Sequence, residues 1–139
     1  MIVFCFDGSP ESRHAIELAA RLLEDRDAVV VDVAEALIVG EAAALTPGVD
    51  VAALAGLNRA ATHERAEAGV ALAQEHGFRA VGRVVSAAPT WEGINAVADE
   101  VDATVIVAGS RHRTGIRRLL EGSVSVALVE HATRPVLLI

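Results

Sequence analysis

This 139-residue sequence predicts an α/β fold built on an open parallel sheet, and three observations point there. Short valine-rich runs recur without the polar alternation of a half-exposed strand, as expected for strands covered on both faces. Segments with helical spacing separate these runs, which is the pattern of βαβ units with helices on both sides of the sheet. The composition, 53% hydrophobic, supplies a sizeable core without disulfides or metals.

Ile2 to Phe6 is the first strand. Ser9 can cap the helix that follows, Pro10 suits its first turn, and Ala15, Ile16, Ala19, Leu22 and Leu23 fall on one face. Ala28 to Ala34 is the second strand. Leu37 to Leu57 is alanine-rich and broken by Pro47-Gly48, so it reads as a connecting excursion. A helix then runs from about Asn58 to His76 and stops at Gly77. Arg79 to Val85 is the third strand, and Pro89 starts a helix with Trp91, Ile94, Val97, Ala98 and Val101 inward. Thr104 to Ala108 is the fourth strand. An arginine-rich loop leads to a helix from about Ser123 to Ala132 and a fifth strand, Pro135 to Ile139.

Length and pattern suit a single domain over residues 1–139. Cys5 is the lone cysteine, which excludes a disulfide framework and favours a reducing cytoplasm, with the residue serving as a small core hydrophobe. No apolar run approaches the roughly 18 residues that cross a bilayer, and no basic leader precedes Ile2-Val3-Phe4, so a soluble, unprocessed protein without a membrane partner is expected. A net charge of -7, with Phe4, Phe6, Phe78 and Trp91 as the aromatic set, argues against nucleic acid as a partner.

Ligands of open α/β sheets bind beyond the carboxyl ends of the strands, where strand order reverses. Two loops qualify: Asp7-Gly8-Ser9 after the first strand and Gly109 to Ser123 after the fourth. They meet at one crevice if those strands are neighbours. The second loop holds Arg111, Arg113, Arg117 and Arg118, a local cluster in an acidic chain. Its glycines and serines let backbone N–H groups face an oxyanion, and the helix starting near Ser123 adds a positive dipole end. Gly8-Ser9 and Gly122-Ser123 read equally well as turns before helix caps, and the arginines as a solvated loop.

Several chemistries lack their residues. A P-loop needs a lysine, and the chain has none; the GxGxxG fingerprint is missing too. Asp7 could suggest an aspartyl-phosphate nucleophile, but no second carboxylate stands near it in sequence to help hold magnesium. His14, His63, His76, His112 and His131 are scattered without metal-ligand spacing and read as solvated residues. No GxSxG elbow occurs, and Cys5 has no base partner in sequence, so neither a catalytic residue nor a metal site is assigned.

Together these residues resemble the universal stress protein family over essentially the whole chain. That family opens with a strand ending in aspartate, a small residue and serine, as in Ile2-Val3-Phe4-Cys5-Phe6-Asp7-Gly8-Ser9. It closes with Gly-x2-Gly-x9-Gly-Ser, a helix and a Pro-Val strand, matched here by Gly109, Gly122-Ser123 and Pro135-Val136, with His112 at the second glycine. The resemblance implies a five-stranded parallel sheet in the order 3-2-1-4-5, an adenine nucleotide alpha hydrolase-like, Rossmann-like architecture. It also implies a role in stress response or regulation, and ATP or a related adenine nucleotide at the carboxyl edge of the sheet. Asp7 would then contact the adenine region and the backbone of Val33 the adenine; Ala108 and Gly109 would pass the ribose, and Gly122, Ser123 and Val124 would hold phosphates. His112 would lie among them. If its position needs positive φ, a non-glycine residue costs roughly 1–2 kcal/mol, about tenfold in affinity. Mg2+ is expected as the nucleotide's companion alone, and hydrolysis, with no general base in view, at most slowly.

The alternative is a dimeric regulatory module of the same family that binds no nucleotide, for which His112 speaks. On either reading a homodimer is expected through the C-terminal strand, since Val136-Leu137-Leu138-Ile139 would be an apolar sheet edge.

Overall fold

The computed structural model describes residues 1–35, 50–110 and 124–139. Five parallel strands, β1 (Ile2–Cys5), β2 (Asp27–Glu35), β3 (Arg79–Ala87), β4 (Val105–Ala108) and β5 (Val136–Leu138), form one sheet in the order β3-β2-β1-β4-β5. The order is the one expected, and it puts the reversal between β1 and β4.

Side chains alternate across the strands, so each face of the sheet builds its own core. Ile2, Phe4, Phe6 and Val30 pack with Ala15, Ile16 and Ala19 of α1 (Pro10–Leu22) and Ala73 of α2 (Val51–Glu75). Val3, Val29, Val31 and Ile106 pack on the opposite face with Ile94, Val97 and Ala98 of α3 (Thr90–Glu100) and Leu128 of α4 (Val124–His131). Trp91 and Val101 are partly buried against this second core, as their spacing predicted. Helices α3 and α4 are tied by the Asn95 amide, which donates to the His131 carbonyl at 2.9 Å, and by a stack of Trp91 on His131 with ring centroids 4.7 Å apart.

Three expectations need correction. Helix α2 begins at Val51, inside the stretch read as an excursion, because the Asp50 carboxylate caps it by accepting from the amides of Ala52 (3.0 Å) and Ala53 (3.1 Å). Leu22 lies 58% exposed: the chain leaves α1 at Leu23, and Leu23 turns onto the core instead. Strands β2 and β3 run further than expected because they pair along their whole length, from Asp27↔Arg79 to Glu35↔Ala87. Among the described residues no helix is long and apolar enough to cross a membrane.

Candidate functional site

β1 pairs with β4 in the register Ile2↔Val105, Val3↔Ile106 and Phe4↔Val107, so the loops leaving their carboxyl ends emerge side by side. On the β1 side, Gly8 adopts φ 78°, which suits glycine, and Ser9 caps α1 through its hydroxyl oxygen, which accepts from the Ser12 amide at 3.2 Å. The Ser12 hydroxyl donates to the Ser9 carbonyl at 3.0 Å. Asp7 belongs to the same turn, one carboxylate oxygen accepting from the Ser9 amide (3.0 Å) and the Ser9 hydroxyl (2.5 Å). The cap reading of Ser9 therefore holds, and the cap is also what orients Asp7.

On the β4 side, Gly109 has no room for a side chain. A Cβ there would lie 2.5 Å from the carbonyl carbon of Glu11, 2.6 Å from its oxygen and 2.8 Å from the Ser12 nitrogen. The exit of β4 thus runs against the first turn of α1. It also continues beside the end of β5: the Ile139 amide donates to the Ala108 carbonyl at 3.1 Å, and the Ser110 hydroxyl donates to the Ile139 carbonyl at 3.0 Å.

Of the residues expected at the site, Asp7, Val33, Ala108 and Gly109 reach the carboxyl edge together. Val33 lies near the end of β2, partly buried on the α3 face, and Ala108 is buried among the second core. Val124 opens α4 and packs partly buried against that core. His112, Gly122 and Ser123, with Arg111, Arg113, Arg117 and Arg118, lie outside the described residues.

Sequence reasoning missed an ion pair at this edge. Asp32, 4% exposed in β2, accepts from the Arg65 Nε at 2.7 Å, and a terminal guanidinium nitrogen of Arg65 donates to the Thr62 hydroxyl at 3.2 Å. Thr62 is fully buried and donates in turn to the Asn58 carbonyl at 2.7 Å. Burial pushes the Asp32 carboxyl above the usual carboxylate range; the Arg65 hydrogen bond and charge oppose that, and repulsion from Asp7 adds to it. Asp32 is a carboxylate that feels the charge of Asp7, and it is engaged by a guanidinium. The signal was present: an aspartate inside an apolar run must find a partner when buried. Burial, followed by repulsion from Asp7, pushes the Cys5 thiol up to about 12, so Cys5 stays protonated and inert, although part of the residue reaches solvent.

Between α2 and the carboxyl-terminal parts of β2 and β3, an open groove of about 770 Å³ is lined by Ala34, Val84 and Ser86 from the strands and Asn58, Arg59 and His63 from α2. Among the described residues no cluster of three or more His, Cys, Asp or Glu side chains could hold a metal ion.

The family model of the universal stress protein family matches residues 1–139. Among solved structures, a universal stress protein family member from Burkholderia pseudomallei is 26% identical, with 99% of this chain and 93% of that one covered and a TM-score of 0.68. The universal stress protein from Archaeoglobus fulgidus in complex with dAMP is 24% identical, covering 99% and 95% with a TM-score of 0.61. A family member from Arabidopsis thaliana with AMP bound is 18% identical, covering 99% and 89% with a TM-score of 0.69. No curated protein matches the chain.

Proposed function

The chain belongs to the universal stress protein family, and from that premise, with relatives solved in complex with dAMP and with AMP bound, we propose that its carboxyl-edge crevice binds an adenine nucleotide. The observation that carries this reading is the adjacency of β1 and β4. It sets Asp7-Gly8-Ser9 beside Gly109 at the reversal of strand order, with the start of α1 pressed against Gly109. In this reading Asp7 and the Val33 backbone meet the adenine end, Ala108 and Gly109 pass the ribose, and Gly122, Ser123 and Val124 hold phosphates beside His112. ATP with Mg2+ as its companion is the fuller ligand; no described residue is placed as a general base, so any hydrolysis is slow. The protein works in the cytoplasm as one domain, in stress response or regulation. It dimerises through β5, where Leu138 is 39% exposed at the sheet edge.

The test is direct. With one tryptophan and no tyrosine the protein absorbs weakly near 280 nm, so a nucleotide that co-purifies dominates its ultraviolet spectrum. Calorimetric titration with AMP and Mg-ATP gives saturable heat if the reading holds; no heat, no thermal shift and a nucleotide-free spectrum reject it. His112, in place of the motif's second glycine, favours a nucleotide-free dimeric module as the second reading. His112→Gly then separates the two: a gain of about tenfold in affinity means the side chain weakens a working site. Sedimentation as a monomer at micromolar concentration rejects the dimer.

A further inference from the structure

Between the β1–α1 turn and the end of β2, three side chains are joined in a way that serves neither core. The guanidinium of Arg65 reaches across from α2 and uses two edges of its fork, one on the buried Asp32 carboxylate and one on the Thr62 hydroxyl. Its aliphatic stem lies against Gly8: a Cβ on that glycine would stand 3.4 Å from the Arg65 Cδ. Asp32 directly precedes Val33 in β2. One side chain therefore touches the first crevice loop through its stem and the second crevice strand through its head.

We propose that Arg65 is a positioning residue of the crevice, a clamp that fixes the β1–α1 turn at Gly8 to the end of β2 at Asp32 and Val33. Burial of a carboxylate is tolerated here because the guanidinium replaces water that Asp32 loses. Gly8 has a left-handed backbone and no side chain of its own, so the stem of Arg65 supplies the packing that its turn lacks. The charge matters as well: repulsion from Asp7 adds to the burial cost of the Asp32 carboxylate, and the Arg65 guanidinium offsets both. The ligand part of this inference rests on the adenine-nucleotide reading; the clamp itself does not.

The experiment compares wild type with Arg65→Met, which keeps the stem and removes the fork, Arg65→Lys, and the charge-neutral pair Asp32→Asn with Arg65→Met. Amide hydrogen exchange is read at Ser9, Ser12 and Val33, with Leu128 in α4 as the distant control, and AMP affinity is read by calorimetry. The expected result for Arg65→Met is exchange about tenfold faster at Ser9 and Val33 with Leu128 unchanged, and AMP binding about tenfold weaker, the scale of one lost charge-assisted hydrogen bond. Arg65→Lys recovers part of both, because an ammonium can pair with Asp32 but has no planar fork to hold Asp32 and Thr62 together. Should Arg65→Met also loosen Leu128, the neutral pair decides, since it leaves no buried charge unpaired. Unchanged exchange at Ser9 and Val33 in the neutral pair overturns the clamp. If wild type takes up no AMP, the nucleotide reading fails while the exchange comparison still decides this one.

Discussion

The two ends of the sheet treat charge in opposite ways. At the amino ends of the strands carboxylates are exposed and paired. Asp27, the first residue of β2, accepts from Arg79, the first of β3, at 2.7 Å, while Arg134, just before β5, donates to Asp99 at 3.0 Å and to Asp102 at 2.6 Å. The hydrogen bond from Arg79 holds Asp27 below the usual carboxylate range, and those from Arg134 and Thr133 do the same for Asp99. At the carboxyl ends Asp32 is buried and pushed the other way even with Arg65 on it, and Gly109 has no room for a side chain. The amino end is arranged to hold the fold together. The carboxyl end gives up favourable solvation to keep a loop and a strand in fixed relation, which is the arrangement a binding edge needs.

The largest effect that would break this contrast comes from glycine substitutions. Gly109→Ala is expected to destabilise by about 1–3 kcal/mol, because its Cβ meets α1 backbone rather than a flexible side chain. Gly77, where the chain turns from α2 toward the amino end of β3, has φ 88° and open space around it, so Ala there costs roughly 1–2 kcal/mol from backbone strain alone. Asn, which tolerates that conformation, should restore much of the loss at position 77 and none at 109. Urea unfolding of the four variants checks this; equal behaviour of Asn at both positions would refute the distinction.

A smaller loss is expected for Arg134→Ala, which releases Asp99 and Asp102 together but leaves them in water. Its melting temperature should fall less than that of Gly109→Ala, and added salt should narrow the gap to wild type. The smallest effect is in the acid limb of stability. Asp27 and Asp99 have lowered folded pKa values, so their contribution is present above the ordinary carboxylate value of 3.8 and is lost as pH falls below it through the folded values. Asp32, raised when folded, acts oppositely: acidification from its folded value down to 3.8 favours the folded state. Asp27→Asn should therefore flatten the acid limb and Asp32→Asn steepen it. Urea midpoints measured across pH would show both slopes, and a shared sign would refute the contrast between the edges.

Much of the architecture was legible because strand and helix formation here follow local pattern. Runs such as Ile2-Val3-Phe4 and Val29-Val30-Val31 have few alternatives to a doubly covered strand, and Ser9-Pro10 announces a helix start by residue type alone. The start of α2 is less legible, because Pro47-Gly48 signals a break only two residues before Asp50, whose carboxylate caps the two amides that begin the helix. Leu22 and Leu23 compete for one inward position, and the point where α1 unwinds settles it.

By itself the sequence determined the alternating elements, the family motif and the two glycine loops, since each depends on residues a few positions apart. Only the tertiary structure decided that Arg65 meets Asp32 across 33 residues, that it lies against Gly8, and that Gly109 is a glycine because of Glu11. Burial makes the difference: a carboxylate inside an apolar run states that it needs a partner, but which cation supplies it depends on how α2 crosses the sheet.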